Sequence, residues 1–314
     1  MRILVTGGAG FIGSHLVYAL QGAGHTPIVL DNLQTGLREH VPEQVEFVEM
    51  DVRDDALCRW IREKQIDAIV HLAGQTTVNA SIGDPKRDAQ ENIIGTVNLL
   101  EAARQCRIGR VIFASTAASY GNVATEELPV LESKGLAPMS FYGLSKVTVE
   151  RYLELYREIF GVDYVILRFA NVYGERQGDG GEGGVISIFS KQVAAGKKIT
   201  IYGDGEQTRD FVYAGDIAAG ICAALVTKNV NTAYNLSTQT ETSLRELVSL
   251  LSRIVGRELI PIYGKERPGD IRRSILANGK ALRGLGWKPE TPLLEGLRRT
   301  VEYFAESMDG KGET

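Results

Sequence analysis

The sequence predicts an α/β protein: a doubly wound parallel sheet followed by a smaller C-terminal α/β unit. Short β-branched runs at residues 2 to 6, 27 to 31, 45 to 49, 67 to 72, 110 to 115 and 164 to 169 alternate with longer helical stretches. Strands that alternate with helices pair in parallel and are covered on both faces. After about residue 172 the alternation gives way to an irregular mixture of short strands and helices. The expected division is residues 1–172 and 173–314, with the chain crossing back to the first unit around 210–236.

Met1-Arg2-Ile3-Leu4-Val5 reads as a first strand ending in glycines and not as an export signal. It runs into Thr6-Gly7-Gly8-Ala9-Gly10-Phe11-Ile12-Gly13, where a helix expected over 12–22 begins. Glycines between a strand and a helix let backbone N–H groups approach a pyrophosphate at the helix N-terminus, so Gly7, Gly10 and Gly13 predict a dinucleotide site of the Rossmann type. Asp31 ends the second strand at the offset where a carboxylate accepts from the adenine ribose. A carboxylate there repels a 2′-phosphate, which favours NAD over NADP. A plain strand-ending turn is the alternative for Asp31. Asp51-Val52 follows the third strand, where it can meet the adenine edge, and a helix is expected over 54–64. His71-Leu72-Ala73-Gly74 ends the fourth strand and should line the cofactor, although His71 alone is as readily a packed residue.

Asp84-Pro85 has the form of an N-cap followed by proline at the first helical position, opening a helix expected over 86–105. The strand over 110–115 delivers Ser115 and Thr116 to the end where ligands bind in open parallel sheets. Both hydroxyls have the alternative of satisfying the following turn. On the helix expected over 141–160, Tyr142 and Lys146 stand four apart and share a face. A free phenol, with a pKa of ~10, is a poor base. The neighbouring ammonium and the positive nicotinamide ring of NAD are together expected to lower it, turning Tyr142 into an acceptor of a hydroxyl proton. The glycine run at 177–184 is either a linker or a mobile loop over a ligand cleft, and the tail from Met308 is expected to fray.

The chain has 314 residues, 44% of them apolar and 24% charged, as an ordinary globular enzyme has. Its net charge of −4 lacks the footprint of a nucleic-acid binder. No apolar run reaches the ~18 residues of a membrane span. Cys58, Cys106 and Cys222 are scattered, which argues against a disulfide framework or any metal site and for isolated buried thiols in a reducing, cytoplasmic setting.

The residues Asn92, Ser115-Thr116, Tyr142 and Lys146, Arg168-Phe169-Ala170-Asn171-Val172-Tyr173-Gly174, Thr208-Arg209-Asp210-Phe211 and Arg267-Pro268-Gly269-Asp270 resemble the extended short-chain dehydrogenase/reductase superfamily. The likeness is strongest to its nucleotide-sugar epimerases and dehydratases and runs from Met1 to about Phe304. It implies that NAD is held by Gly7, Gly10, Phe11, Ile12, Gly13, Asp31, Asn32, Asp51, Val52, Leu72, Ala73, Gly74, Ser115, Tyr142 and Lys146. It further implies catalysis by Tyr142, Lys146 and Thr116, and a nucleoside-diphosphate sugar held by Thr116, Asn171, Val185, Arg209 and Arg267. Asp270 would orient Arg267, and Ser274 would gate an N-acetyl group. Ala117 and Ala118 stand where the dehydratases of this family carry an Asp-Glu pair and the decarboxylases a glutamate, which leaves the set needed for reversible oxidation at C4. The branch it looks most like is therefore the UDP-glucose 4-epimerases. The alternatives are an epimerase or reductase of another nucleotide sugar, such as a dTDP-hexose or UDP-uronic acid, and a non-catalytic dinucleotide sensor. The same resemblance implies a homodimer through the helices near 86–105 and 141–160, with Ile93, Val97, Leu100, Leu153, Tyr156 and Phe160 as apolar stripes that fit an interface or the core equally.

Overall fold

A computed structural model describes residues 1–178, 183–266 and 271–309. The six expected strands form within a residue or two of their predicted bounds, as β1 (Arg2–Thr6), β2 (Thr26–Asp31), β3 (Glu46–Glu49), β4 (Ala68–His71), β5 (Arg110–Thr116) and β6 (Asp163–Phe169). Along β1, Ile3 and Val5 join one apolar cluster while Leu4 joins the other, as the two-residue side-chain period requires. Both faces of the sheet are therefore buried.

Helix α1 (Phe11–Gly22) covers one face. On the other lie α2 (Leu57–Lys64) and a long helical stretch opened by α3 (Val78–Gly83). Asp84 caps the next helix, α4 (Pro85–Ala89), by accepting from the Arg87 N–H at 3.0 Å. The single helix expected over 86–105 is interrupted: a π-helical turn over Gln90–Ile94 separates α4 from α5 (Gly95–Gln105). Helix α6 (Phe141–Phe160) forms over the predicted span. Ser140 caps it by accepting from the Gly143 N–H at 3.1 Å, and Gly161 ends it at φ +76°.

From residue 171 the chain builds β7 (Asn171–Tyr173), α7 (Val185–Ala194), β8 (Thr200–Tyr202), β9 (Thr208–Arg209) and β10 (Phe211–Tyr213). It then returns to the sheet as α8 (Ala214–Val226) and β11 (Thr232–Leu236). Leu16 and Leu20 of α1 and Ile217 and Ile221 of α8 are fully buried in one cluster, each contributing ~2 kcal/mol of apolar burial. The sheet has seven parallel strands in the order β11-β6-β5-β4-β1-β2-β3.

The remaining elements are β12 (Thr242–Ser243), α9 (Leu244–Val255), β13 (Ile262–Gly264), α10 (Gly279–Leu285) and α11 (Leu293–Asp309). A separate core joins Phe189 of α7, Ile201 of β8, Leu247 and Leu251 of α9, and Leu297 of α11. The order of the large sheet reverses between β1 and β4, and ligands of doubly wound folds bind in the crevice outside such a point. Among the described residues, no helix is long and apolar enough to cross a membrane.

One sequence reading needs correction. Cys58 and Cys106 are not isolated: the Cys106 thiol donates to the Cys58 carbonyl at 3.6 Å, and both are half-buried. Of the apolar stripes that fit an interface or the core equally, Leu100, Leu153 and Tyr156 lie in the core beneath the sheet, and Phe160 is exposed. The exposed face of α6 also carries Phe141, Leu144, Tyr152, Leu155 and Ile159.

Candidate active site

At the C-terminal end of β1 the backbone turns at Gly7, with φ +71°, which glycine adopts without strain. A Cβ there would lie 2.7 Å from the Ala73 nitrogen, and one at Gly13 would lie 2.1 Å from the Gly7 carbonyl oxygen. No side chain caps α1 at Gly10, so Phe11, Ile12 and Gly13 present their N–H groups at a helix N-terminus of partial positive charge. This cradle fits a dinucleotide pyrophosphate. Asp31 is buried, and its two oxygens accept from the backbone of Ala9 at 3.0 Å and of Leu33 at 2.9 Å. Burial raises its pKa against those bonds. The carboxylate thus braces the glycine turn and has further lone pairs for a ribose. Asn32 donates to Asp51 at 2.8 Å, and Arg53 grips the same carboxylate with its side chain at 2.7 Å. Those contacts hold Asp51 at a pKa of about 2. Val52, Leu72, Ala73 and Gly74 complete this side, with the Leu72 N–H bound to the Thr6 carbonyl.

His71 is a core residue. Its ring nitrogens lie 2.7 Å from the Thr6 hydroxyl and 2.8 Å from the Thr96 hydroxyl, and burial, helped by the Lys146 charge, lowers its pKa to about 3.

The first two turns of α6 carry Tyr142 and Lys146 into the crevice. The Lys146 Nζ stands 5.9 Å from the centre of the Tyr142 ring and 4.9 Å over that of Phe113. Burial lowers this ammonium to about 8, against the opposing pull of Asp88. Sequence reasoning expects the ammonium and the nicotinamide ring together to lower the phenol. In the protein alone burial prevails and raises Tyr142 to about 12, while Thr116 pulls downward and the Asp88 charge pushes upward. Thr116 also accepts from the Ala118 N–H at 3.2 Å, so it serves the turn and the phenol together. Ser115 is committed elsewhere: its hydroxyl donates to Glu150 at 2.5 Å, within a buried Glu150–Arg168 pair.

Beneath the pair sits Asn92 on the π turn. Its amide nitrogen is shared among the Gln75 carbonyl at 3.0 Å, Asp88 at 3.1 Å and the Ser145 hydroxyl at 3.0 Å. The Ser145 hydroxyl in turn donates to the Tyr142 carbonyl at 2.9 Å. The sequence reading picked out Asn92 only as part of a motif and passed over Gln75, Asp88 and Ser145. Asp88 lies in the polar string Lys86-Arg87-Asp88 and has the appearance of a solvated acid.

Arg209 is half-buried on β9 and donates to the carbonyls of Thr208 and Ile271 at 2.8 and 2.7 Å. Asn171 begins β7 and is exposed. Val185 opens α7, and the half-buried Ser274 lies two residues after Arg272, whose carbonyl accepts from the Thr208 N–H of β9 at 3.0 Å. Arg267, Asp270 and residues 179–182 of the glycine run lie outside the described residues.

A profile of the NAD dependent epimerase/dehydratase family matches residues 3–237. The chain is 44% identical to a putative UDP-glucose 4-epimerase of Methanocaldococcus jannaschii, over 96% of this chain and 98% of that one. It is similar to the crystal structure of UDP-glucose 4-epimerase with UDP-glucose from Thermotoga maritima, with a TM-score of 0.94, 40% identity, and coverage of 98% and 100%. It is also similar to a UDP-N-acetylglucosamine 4-epimerase from Methanobrevibacter ruminantium in complex with UDP-N-acetylmuramic acid, with a TM-score of 0.92, 34% identity, and coverage of 98% and 99%.

Proposed function

The chain belongs to the NAD dependent epimerase/dehydratase family, and from that premise we propose that it interconverts the C4 epimers of a UDP-hexose, UDP-glucose and UDP-galactose, through a 4-keto sugar. The observation that carries this reading is the placement of Tyr142 within reach of Thr116 and beside the Lys146 ammonium, on the side of the sheet where the strands and the glycine turn also end. NAD, when bound, supplies the acceptor and donor of the C4 hydride, and its positive ring favours the phenolate that burial alone disfavours. Tyr142 takes the proton of the C4 hydroxyl and returns it to the other epimer. Thr116 holds the phenol in place, and Lys146 supplies the cationic charge that stabilises phenolate. Ala117 and Ala118 follow with no acid or base, so elimination of water has no group to drive it.

Arg209, Arg267 and Asn171 hold the diphosphate, since arginine forks suit phosphate oxygens, while Val185 and the start of α7 flank it. The hexose itself stays loosely held, as rotation of the keto sugar requires. The short Ser274 side chain leaves room for an N-acetyl group, so UDP-N-acetylhexosamines are included among the substrates. Replacing it in Ser274→Tyr is expected to abolish conversion of those sugars and spare UDP-glucose.

The exposed apolar face of α6, with Val78 and Ile82 of α3 also exposed, is the surface through which we assign a homodimer. A reducing cytoplasmic setting suits the three free thiols.

The test is turnover of UDP-glucose and UDP-galactose, followed by NMR without added cofactor. Tyr142→Phe is expected to bind UDP-sugar normally and to lose ~10²–10⁴-fold in turnover. Near-wild-type activity in that variant overturns the assignment of the base.

A further inference from the structure

The reaction as described leaves the buried carboxylate nearest the Tyr142–Lys146 pair without a role. Asp88, on α4, is 1% exposed. Its Oδ1 accepts from the Gln75 side-chain amide at 2.8 Å and from that of Asn92 at 3.1 Å. Both donors are neutral amides, and the cation that interacts with this carboxylate is Lys146.

The groups that face the Lys146 ammonium are Tyr142 from its own helix, His71 from β4, the Phe113 ring from β5, and Asp88 from α4. His71 is buried between two hydroxyls, and its low pKa leaves it neutral at physiological pH. Among the described residues, Asp88 is the anion whose field reaches Lys146, and the same field reaches Tyr142.

The carboxylate is also a mechanical anchor. Gln75 reaches from Asp88 to the Thr77 carbonyl at 2.8 Å, fastening the loop after β4. Asn92 joins Asp88 to Ser145 and thereby to the backbone of Tyr142. The π turn over Gln90–Ile94 sets Asn92 in this place, with its Oδ1 against Gly74, where a Cβ would lie only 2.4 Å away. Such turns recur at functional sites.

We propose that Asp88 is a positioning residue of the epimerisation: through Gln75 and Asn92 it fixes the loop after β4 and the first turn of α6, and it supplies the negative charge that faces the Lys146 ammonium. The proposal rests on the reading of Tyr142 and Lys146 given above.

Asp88→Asn keeps the size of the side chain and an acceptor oxygen but removes the charge. Without the anion, Lys146 surrenders its proton at lower pH, and the phenol of Tyr142 ionises at lower pH as well. The kcat profile for UDP-galactose is expected to move toward acid by about one pH unit, whereas Asp88→Glu keeps the wild-type limbs. Asp88→Ser and Asp88→Glu carry the same comparison if the amide variant does not fold. A role in folding alone lowers the melting temperature and leaves the profile in place. Profiles of the uncharged variants that coincide with wild type, or an Asp88→Glu profile displaced as far as theirs, overturn the proposal. Tyr142→Phe is assayed alongside. Full activity there rejects the assigned base, while an inactive Tyr142→Phe with an unmoved Asp88→Asn profile rejects the role of Asp88 alone.

Discussion

Removing Glu150 should destabilise the sheet more than any truncation of similar size at the surface. The Glu150 side chain is 2% exposed and that of Arg168 7%. The guanidinium forks onto the carboxylate with bonds of 3.0 and 2.6 Å, and Ser115 donates to the same group at 2.5 Å. In Glu150→Ala the arginine keeps its bond to the Tyr120 hydroxyl at 2.9 Å but loses its counter-charge. Stripping one partner from a buried pair costs ~3–5 kcal/mol, and the orphaned Ser115 hydroxyl adds ~1 kcal/mol, reduced by its second contact with Ser119. The expected loss is thus ~4 kcal/mol. With an unfolding entropy near ~2.1 cal/mol/K per residue over the whole chain, the melting temperature falls by ~6 °C. Urea unfolding and calorimetry measure both quantities. Replacing the two together, Glu150→Leu with Arg168→Met, removes the charges and recovers at least half of the loss, because an apolar pair of similar volume avoids the desolvation penalty. A single variant that loses under ~1 kcal/mol, or a double variant no more stable than the single one, refutes the reasoning.

Three further outcomes are expected. His71 binds protons only near pH 3 in the folded protein but near ~6.5 when unfolded. Between those values the unfolded state holds more protons, so stability falls as pH falls, by ~2 kcal/mol between pH 6.5 and 4.5. The urea midpoints of His71→Gln should lose that part of the pH dependence. Gly13→Ala drives a Cβ to 2.1 Å from the Gly7 oxygen and should weaken NADH binding, titrated by fluorescence, by at least ~10-fold. Leu155 and Ile159 are 52% and 64% exposed on one face of α6, and the pair Leu155→Lys and Ile159→Lys should halve the mass seen by light scattering without lowering the melting temperature.

The elements that could be read from the sequence are those dictated by local chemistry. The β1 to β6 strands carry short β-branched apolar runs, α6 begins at a serine cap and stops at Gly161, and the glycine turn includes a position that only glycine adopts without strain. The Tyr142–Lys146 face followed from helical spacing alone. What escaped was set by long-range packing. The π turn at Gln90–Ile94 exists where Asn92 must meet Gly74, Gln75 and Ser145, residues 17 to 53 positions away or on the far side of a strand, so nothing in the run from 86 to 105 announces it. The burial that raises Tyr142 in the protein alone escaped for the same reason: the ammonium four residues away is a local fact, whereas that burial is made by the sheet crevice, and the opposing carboxylate comes from another helix. The buried phenol of Tyr142 is thus left a poor base by the protein alone, and on the mechanism proposed above the pieces that the sequence hid most completely, Asp88 and the amides that hold it, are the ones that set how far the balance must be tipped before a proton moves.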